Sequence, residues 1–162
     1  MTEETKSTVY IETTIVSYLT AWPNQNIVRL SHEMLTRDWW SKCRPWYDLY
    51  VSDFVIDEAS RGDPSAAADR ITALQGIPLL PVTSPVVDLA ERLAAALSLP
   101  PRARLDASHV AIAAVHGMNF LLTWNCRHLA NGMLADTIER TCDEAGFKSP
   151  RILTPELLME PP

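Results

Sequence analysis

Short apolar runs alternate along this chain with segments in which apolar residues recur at helical spacing. The short runs are typical of buried strands, and they cover residues 8–12, 47–52, 77–82, 120–123 and 151–153. Strands that alternate with helices favour a parallel sheet covered on both faces. The pattern therefore predicts an α/β fold, a three-layer α/β/α sandwich with a mostly parallel central sheet.

The segments between the runs carry the start and stop signals of helices. Helices are predicted from Thr13 or Thr14 to about residue 19, and then over residues 27–43, 53–61, 64–74, 86–97, 106–117 and 133–145. Pro64 suits the first turn of its helix, and Gly117 suits the end of another. Repeats, low-complexity tracts and interdomain linkers are all lacking, so residues 1–162 are predicted to form a single domain.

Charge and cysteine usage narrow the function classes. A formal net charge of −6 provides no global positive field for nucleic acid, which weighs against a simple DNA-binding module. It does not exclude a nuclease, because a bound metal supplies positive charge where the phosphate reacts. Cys43, Cys126 and Cys142 are too scattered for a disulfide framework. We therefore expect a cytoplasmic protein, with a polar start that is no signal peptide and no apolar run long enough to cross a membrane.

Oxygen-bearing side chains stand where the predicted strands end or the following helices begin. Glu12 closes the first strand, Asn125 follows the fourth, and Asp106 and Glu58 lie early in helical segments. The carboxyl ends of parallel strands share one edge of a sheet, so these side chains are expected to converge there. Clusters made of oxygen ligands suit Mg²⁺ or Mn²⁺. Metal-assisted chemistry on phosphates is the first hypothesis.

These residues carry a resemblance to a known family. Tyr10-Ile-Glu-Thr-Thr14, Glu58, Asp106-Ala-Ser-His-Val-Ala-Ile-Ala113 and Leu121-Leu-Thr-Trp-Asn125 resemble a PIN domain, and more narrowly the VapC-like toxins of toxin–antitoxin pairs. The resemblance covers nearly the whole chain in the right order. It implies a Mg²⁺- or Mn²⁺-dependent endoribonuclease that acts on RNA, pairs with a small antitoxin protein and forms a homodimer.

The family's usual acidic residues correspond to four positions of this chain, and two of them differ from the pattern. The resemblance implies that Glu12, Asp106 and Glu58 hold the metal. With Asn125 and Thr123, these three residues make up the implied catalytic set: Glu12, Glu58, Asp106, Asn125 and Thr123. Glu12 stands where the family has the shorter Asp. Asn125 stands where it has Asp, which removes one negative charge. A binding module that has lost catalysis is therefore the alternative function, and a small phosphohydrolase or receiver domain is a third.

Substrate contacts are expected next to the acids. Arg102 and Arg104 precede Asp106, and Arg127 follows Asn125, so these arginines are candidate phosphate contacts. The hydroxyl of Thr13 could orient a water or a phosphate oxygen. The alternative is that the arginines are solvated loop charges.

The acidic set has structural alternatives as well. Asp106 could only favour a helix N-terminus. Glu58 could pair with Arg61 on the surface, and Asn125 could make an Asx turn. Thr123 could be an ordinary strand residue.

Three further groups of residues have mainly structural interpretations. His109 and His116 lie about 10.5 Å apart along one helix axis, so they cannot share a metal, and we interpret them as side chains that fill an apolar helix. Cys126 and His128 lack an orienting third residue for thiol catalysis. A set of aromatic residues is expected to pack in the core, with a dimer face, an antitoxin groove or base stacking as alternatives: Trp39, Trp40, Trp46, Tyr47 and Tyr50.

Overall fold

A computed structural model describes residues 5–161, so the ends of the predicted domain lie outside the described part. Five strands form one sheet: β1 (Ser7–Ile11), β2 (Tyr47–Ser52), β3 (Leu79–Leu80), β4 (Phe120–Leu122) and β5 (Arg151–Leu153). All neighbouring strands run parallel, in the order β3-β2-β1-β4-β5. The prediction of a mostly parallel sheet is confirmed.

Seven α-helices connect the strands. They are α1 (Thr13–Thr20), α2 (Ile27–Asp38), α3 (Asp53–Ala59), α4 (Pro64–Leu74), α5 (Ser84–Ala96), α6 (Arg104–Val115) and α7 (Gly132–Glu144). Shorter helical turns cover Trp39–Cys43, Arg44–Trp46, Pro101–Ala103 and Pro155–Leu158. None of the helices within residues 5–161 has the length and apolar character needed to cross a membrane.

The strand order reverses direction at the centre of the sheet. The chain moves outward from β1 through β2 to β3, and then returns to place β4 on the other side of β1. Right-handed crossovers place the helices before and after this reversal on opposite faces of the sheet. The helix contacts agree, because α1 packs against α2, α3 and α4, whereas α5 packs against α6 and α7. The predicted three-layer sandwich is therefore confirmed.

Two elements are clearly shorter than predicted, and the other limits differ by no more than two residues. The third strand is only Leu79–Leu80, because Pro78 and Pro81 flank it and proline has no N–H to donate to a sheet. The second helix ends at Asp38, and the chain then widens into a π-helical turn over Trp39–Cys43. Gly117 comes directly after His116, the C-cap residue of α6, and its φ is 68°. This conformation favours glycine, which agrees with the predicted place of Gly117 at the helix end.

The aromatic residues of this region pack largely into the core. Trp39 is fully buried and Tyr47 is nearly so, with their rings stacked at a centroid distance of 6.1 Å. The indole N–H of Trp39 donates to the carbonyl of Leu158 over 3.0 Å. Trp40 is partly buried and lies under the guanidinium of Arg44. Core packing, the first interpretation of this group, is therefore what the structure shows for Trp39 and Tyr47.

Candidate metal centre at the carboxyl edge of the sheet

The candidate site lies at the point where the strand order reverses. Glu12 directly follows β1, Thr123 directly follows β4, and the Glu12 N–H donates to the carbonyl of Leu122 over 3.1 Å. In open α/β sheets the crevice at such a reversal, outside the carboxyl ends of the strands, is where ligands bind. The fold thus brings together two residues that are far apart in sequence, as their positions at strand ends predict.

Glu12 is a buried carboxylate held by threonines. Its exposed fraction is 3%, and it serves as the N-cap of α1. Three donors converge on Oε2: the Thr14 N–H at 3.1 Å, the Thr14 hydroxyl at 2.5 Å and the Thr123 hydroxyl at 2.7 Å. Burial raises the pKa of Glu12, although the charge of His109 and these hydrogen bonds oppose the rise. A bound cation would offset that cost of burial.

Glu58 extends from α3 toward the same point. Its Oε1 accepts a hydrogen bond from the Thr13 hydroxyl at 2.7 Å and lies 2.6 Å from Nε2 of His109. Burial acts to raise the pKa of Glu58, but the hydrogen bond and charge of His109, together with the Thr13 bond, leave that pKa below its usual value. Its closest partners are therefore these two residues, and not Arg61 on the surface.

His109, interpreted from the sequence as filling an apolar helix, is the residue that the structure adds to the candidate site. It is fully buried, and both of its ring nitrogens are engaged: Nε2 with Glu58, and Nδ1 with the Tyr10 hydroxyl at 2.7 Å. That hydroxyl lies 2.7 Å from the hydroxyl of Ser52. The available signal was its spacing from Asp106, because residues three apart lie on the same face of a helix. An Asp that is expected to face the site thus predicts a site-facing histidine one turn later.

Glu12, Glu58 and His109 together form a set of metal-binding donors. One ligand atom from each lies within 4.8 Å of the other two. Two carboxylates and an imidazole are ordinary ligands for a divalent cation. The residues present therefore fit the metal that the sequence resemblance implies, although the set contains an imidazole and is not made of oxygens alone.

Asp106 and Asn125, the two other expected acid positions, are turned to different partners. Asp106 lies in the first turn of α6 but does not cap it, and its Oδ2 is 2.8 Å from Nδ1 of His128. The Asn125 amide oxygen accepts the backbone N–H of His128 at 3.0 Å, which is the Asx-type turn named above as its structural alternative. Asp106 is not one of the three clustered donors. His128 thus links Asp106 to the turn that follows β4.

The expected substrate residues fall into two groups. Arg102, Arg104 and Arg127 are exposed and form no ion pair among the described residues. Thr13 is buried and uses its hydroxyl to orient Glu58. Its observed contact is therefore with a carboxylate of the site.

Two grooves on the surface lie apart from the donor set. One of about 700 Å³ runs beside α7 and β5, and one of about 670 Å³ runs beside α5 and α6. Neither is lined by Glu12, Glu58 or His109. The donor set therefore lies outside both grooves.

The five-stranded parallel sheet and its flanking helices form the three-layer α/β/α architecture that the sequence pattern predicts. Among solved structures, the chain is similar to one chain of the FitAB complex bound to the IR36 DNA fragment, with 16% identity, 91% of this chain and 94% of that chain covered, and a TM-score of 0.52. Mycobacterium tuberculosis VapC20, a toxin that cleaves the sarcin–ricin loop, matches at 19% identity over 88% of this chain and 99% of its own, with a TM-score of 0.48. No family model and no curated protein sequence matches the chain.

Proposed function

We propose that this protein is a metal-dependent endoribonuclease that hydrolyses RNA phosphodiester bonds and acts as a VapC-like toxin. The observation that carries the proposal is the convergence of Glu12, Glu58 and His109 at the point where the strand order reverses. A buried carboxylate beside a second carboxylate is costly without a cation. This arrangement is therefore better explained by metal binding than by stability.

The chain's own residues supply the positioning that such hydrolysis needs. A bound Mg²⁺ or Mn²⁺ would polarise the scissile phosphate and lower the pKa of an attacking water. Glu12 and Glu58 would hold the cation, and the hydroxyls of Thr123 and Thr13 fix the orientation of these carboxylates. Asp106 would add negative charge from the first turn of α6. Preorganised ligands of this kind avoid reorganisation during the reaction.

Exposed arginines would hold the RNA backbone. Arg102 lies in the helical turn before α6, and Arg104 begins α6 in the same turn as Asp106. Arg127 lies in the turn after β4, close to Asn125. Backbone contacts of this kind position nucleic acid without reading its sequence. The chain's net charge of −6 makes such local contacts more important.

We further propose that the toxin works in the cytosol as a homodimer and is restrained by a small antitoxin. The FitAB complex, which the fold resembles, is itself an assembly bound to DNA. That analogy and the resemblance to VapC-like toxins support a partner, and co-purification of the chain with the product of a neighbouring small reading frame would test it.

The test is cleavage of a structured RNA pool by purified protein in Mg²⁺, Mn²⁺ or EDTA. We expect cleavage that requires a metal and that is lost in Glu12→Gln, since the amide keeps the shape of the side chain but loses its charge. Glu139→Gln on the exposed face of α7 is the matched control and should cleave normally. Equal background from wild type and Glu12→Gln, without response to metal, would overturn the proposal.

The alternative function is a module that binds RNA or protein without catalysis. Asn125 favours it, because the side chain serves a turn and brings no charge to the site. Metal-independent RNA binding in a gel-shift assay, together with no cleavage under any condition, would support this alternative.

A further inference from the structure

We propose that His109 is itself a metal ligand through Nε2, and that the site consequently selects a first-row transition-metal cation over Mg²⁺. This inference rests on the proposed metal dependence but not on the proposed action on RNA. It adds a residue to the site that the acidic pattern of the sequence does not contain.

The position of Nε2 is the first observation. The His109 side chain is fully buried, yet its Nε2 is directed at a carboxylate oxygen, 2.6 Å from Oε1 of Glu58. The Glu12 carboxylate completes the group within 4.8 Å. The nitrogen therefore faces the same small volume as both carboxylates, and a cation bound by the three would replace the hydrogen bond between Nε2 and Glu58.

The hydroxyl chain behind the ring is the second observation. Metal-binding histidines usually donate the N–H of the other ring nitrogen to an oxygen, which fixes the ring and its tautomer. Nδ1 of His109 has such an oxygen in the Tyr10 hydroxyl at 2.7 Å, and this hydroxyl is followed by Ser52 at another 2.7 Å. This supporting pair has no evident use in a helix that only fills space.

The same hydroxyl chain can operate in both directions. In a neutral His109 without metal, Nε2 would donate to Glu58 and Nδ1 would accept from the Tyr10 hydroxyl. With metal, Nε2 would offer its lone pair, Nδ1 would donate to Tyr10, and Tyr10 would donate to Ser52. The ring proton then moves from Nε2 to Nδ1, and the O–H bonds of Tyr10 and Ser52 rotate to match, since hydroxyl groups both donate and accept. The buried ring therefore keeps a hydrogen-bond partner in either state.

Selectivity follows from the ligand type. Mg²⁺ prefers oxygen ligands and retains its waters, whereas imidazole nitrogen favours transition metals, with affinity that rises from Mn²⁺ to Co²⁺. Asn125 in place of an acid lowers the charge that would otherwise favour Mg²⁺. Two carboxylates with one imidazole should therefore bind in the order Mg²⁺, Mn²⁺, Co²⁺, from weakest to tightest.

The experiment measures metal binding by the full chain after removal of metal with EDTA. Isothermal titration with Mg²⁺, Mn²⁺ and Co²⁺ gives the order of affinities, and pulsed EPR of the Mn²⁺ complex reports whether a ¹⁴N nucleus is bound to the cation. We expect ¹⁴N coupling in the wild type and at least about a tenfold preference for Co²⁺ over Mg²⁺.

Three variants separate ligation from structure. His109→Asn should lose the ¹⁴N coupling and about tenfold or more of the Co²⁺ affinity, with little change for Mg²⁺. Tyr10→Phe should keep the coupling but weaken Co²⁺ binding by about tenfold. His116→Asn, at the end of the same helix, is the control and should behave as wild type. If His109→Asn does not fold, the wild-type coupling and Tyr10→Phe still decide the question.

The outcomes distinguish this inference from the proposed function. Mn²⁺ bound without ¹⁴N coupling, or a Co²⁺-to-Mg²⁺ preference unchanged in His109→Asn, would overturn the inference even if RNA is cleaved. Metal binding with ¹⁴N coupling, combined with no RNA cleavage, would support the inference and contradict the ribonuclease. No metal binding at all would overturn both.

Discussion

Two groups of polar residues lie at the carboxyl edge of the sheet, and they differ in how they are held. Glu12, Glu58 and His109 are mainly buried and are positioned from three separate elements: the end of β1, α3 and α6. The group of Asp106, Asn125 and His128 is partly accessible throughout, with side-chain exposures of 19% for both Asp106 and His128, whereas in the first group only Glu58, at 28%, is accessible. The second group depends on a turn for its geometry.

This difference shows that matching a family's acid positions does not decide which residues converge. All four matched positions lie near one edge, but only Glu12 and Glu58 enter the clustered donor set. Asp106 contacts the ring of His128, and Asn125 accepts the backbone N–H of the same residue. A buried donor set is rigid and should dominate metal affinity, whereas the group around His128 should tune it.

The largest loss of metal affinity is expected when a charge is removed from the group of Glu12, Glu58 and His109. Glu58→Gln should lower Mn²⁺ affinity by about a hundredfold, because the cation loses one of its two charged ligands in the clustered set. The amide oxygen can still accept from the Thr13 hydroxyl. Titration calorimetry measures the loss, and Asp57→Asn, the exposed neighbour on α3, should have no effect. Equal affinities for Glu58→Gln and wild type would contradict the assignment.

The corresponding change in the accessible group should have a smaller effect. Asp106→Asn is expected to lower Mn²⁺ affinity by about tenfold, since its carboxylate lies outside the three clustered donors but still contributes charge. The same calorimetric titration compares it with Glu58→Gln. A loss as large as that of Glu58→Gln would mean that Asp106 leaves His128 and ligates the metal directly.

Asn125 should affect the free energy of unfolding, because it holds the turn on which the second group depends. Asn125→Ala should lower the free energy of unfolding by about 1 kcal/mol, because the His128 N–H loses its acceptor. Asn125→Asp keeps an acceptor oxygen and should unfold like the wild type. Urea denaturation followed by circular dichroism measures both. If Asn125→Ala is as stable as Asn125→Asp, the turn does not depend on this hydrogen bond.

The smallest effect is expected outside both groups. Arg127→Ala should raise the KM for RNA by about threefold and leave kcat unchanged, because one exposed charge contributes binding but no chemistry. Arg140→Ala, exposed on α7, is the matched control. A fall in kcat for Arg127→Ala would place this arginine in the catalytic machinery instead.

Local patterns predict much of the fold. The second and fifth strands have the predicted limits, and so does α4, because turn residues or proline mark their ends. The third strand is shorter than predicted because two prolines limit its hydrogen bonding. The parallel arrangement follows from the alternation of strands and helices, and it places Glu12 and Thr123 correctly at one edge.

The site is harder to predict because its contacts join distant segments. The role of His109 is hidden by a helix that is apolar on nearly all sides, where one histidine looks like filling. The partner of Asp106 could not be anticipated, since His128 reaches it only after the turn from Asn125 has formed. Sequence spacing identifies the carboxyl edge of the sheet as the site. The hydrogen-bond partner of each side chain there depends on contacts between distant segments.

Glu12 has two roles, and for that reason the backbone amide of Thr14 should report metal binding. The carboxylate that faces the proposed metal also accepts the N–H of Thr14 and thereby starts α1. Any cation that draws electron density from this carboxylate weakens its hold on that N–H, so occupancy of the site is transmitted to the helix. The Thr14 amide resonance in a spectrum of ¹⁵N-labelled protein should therefore follow ion binding directly, without RNA or a partner.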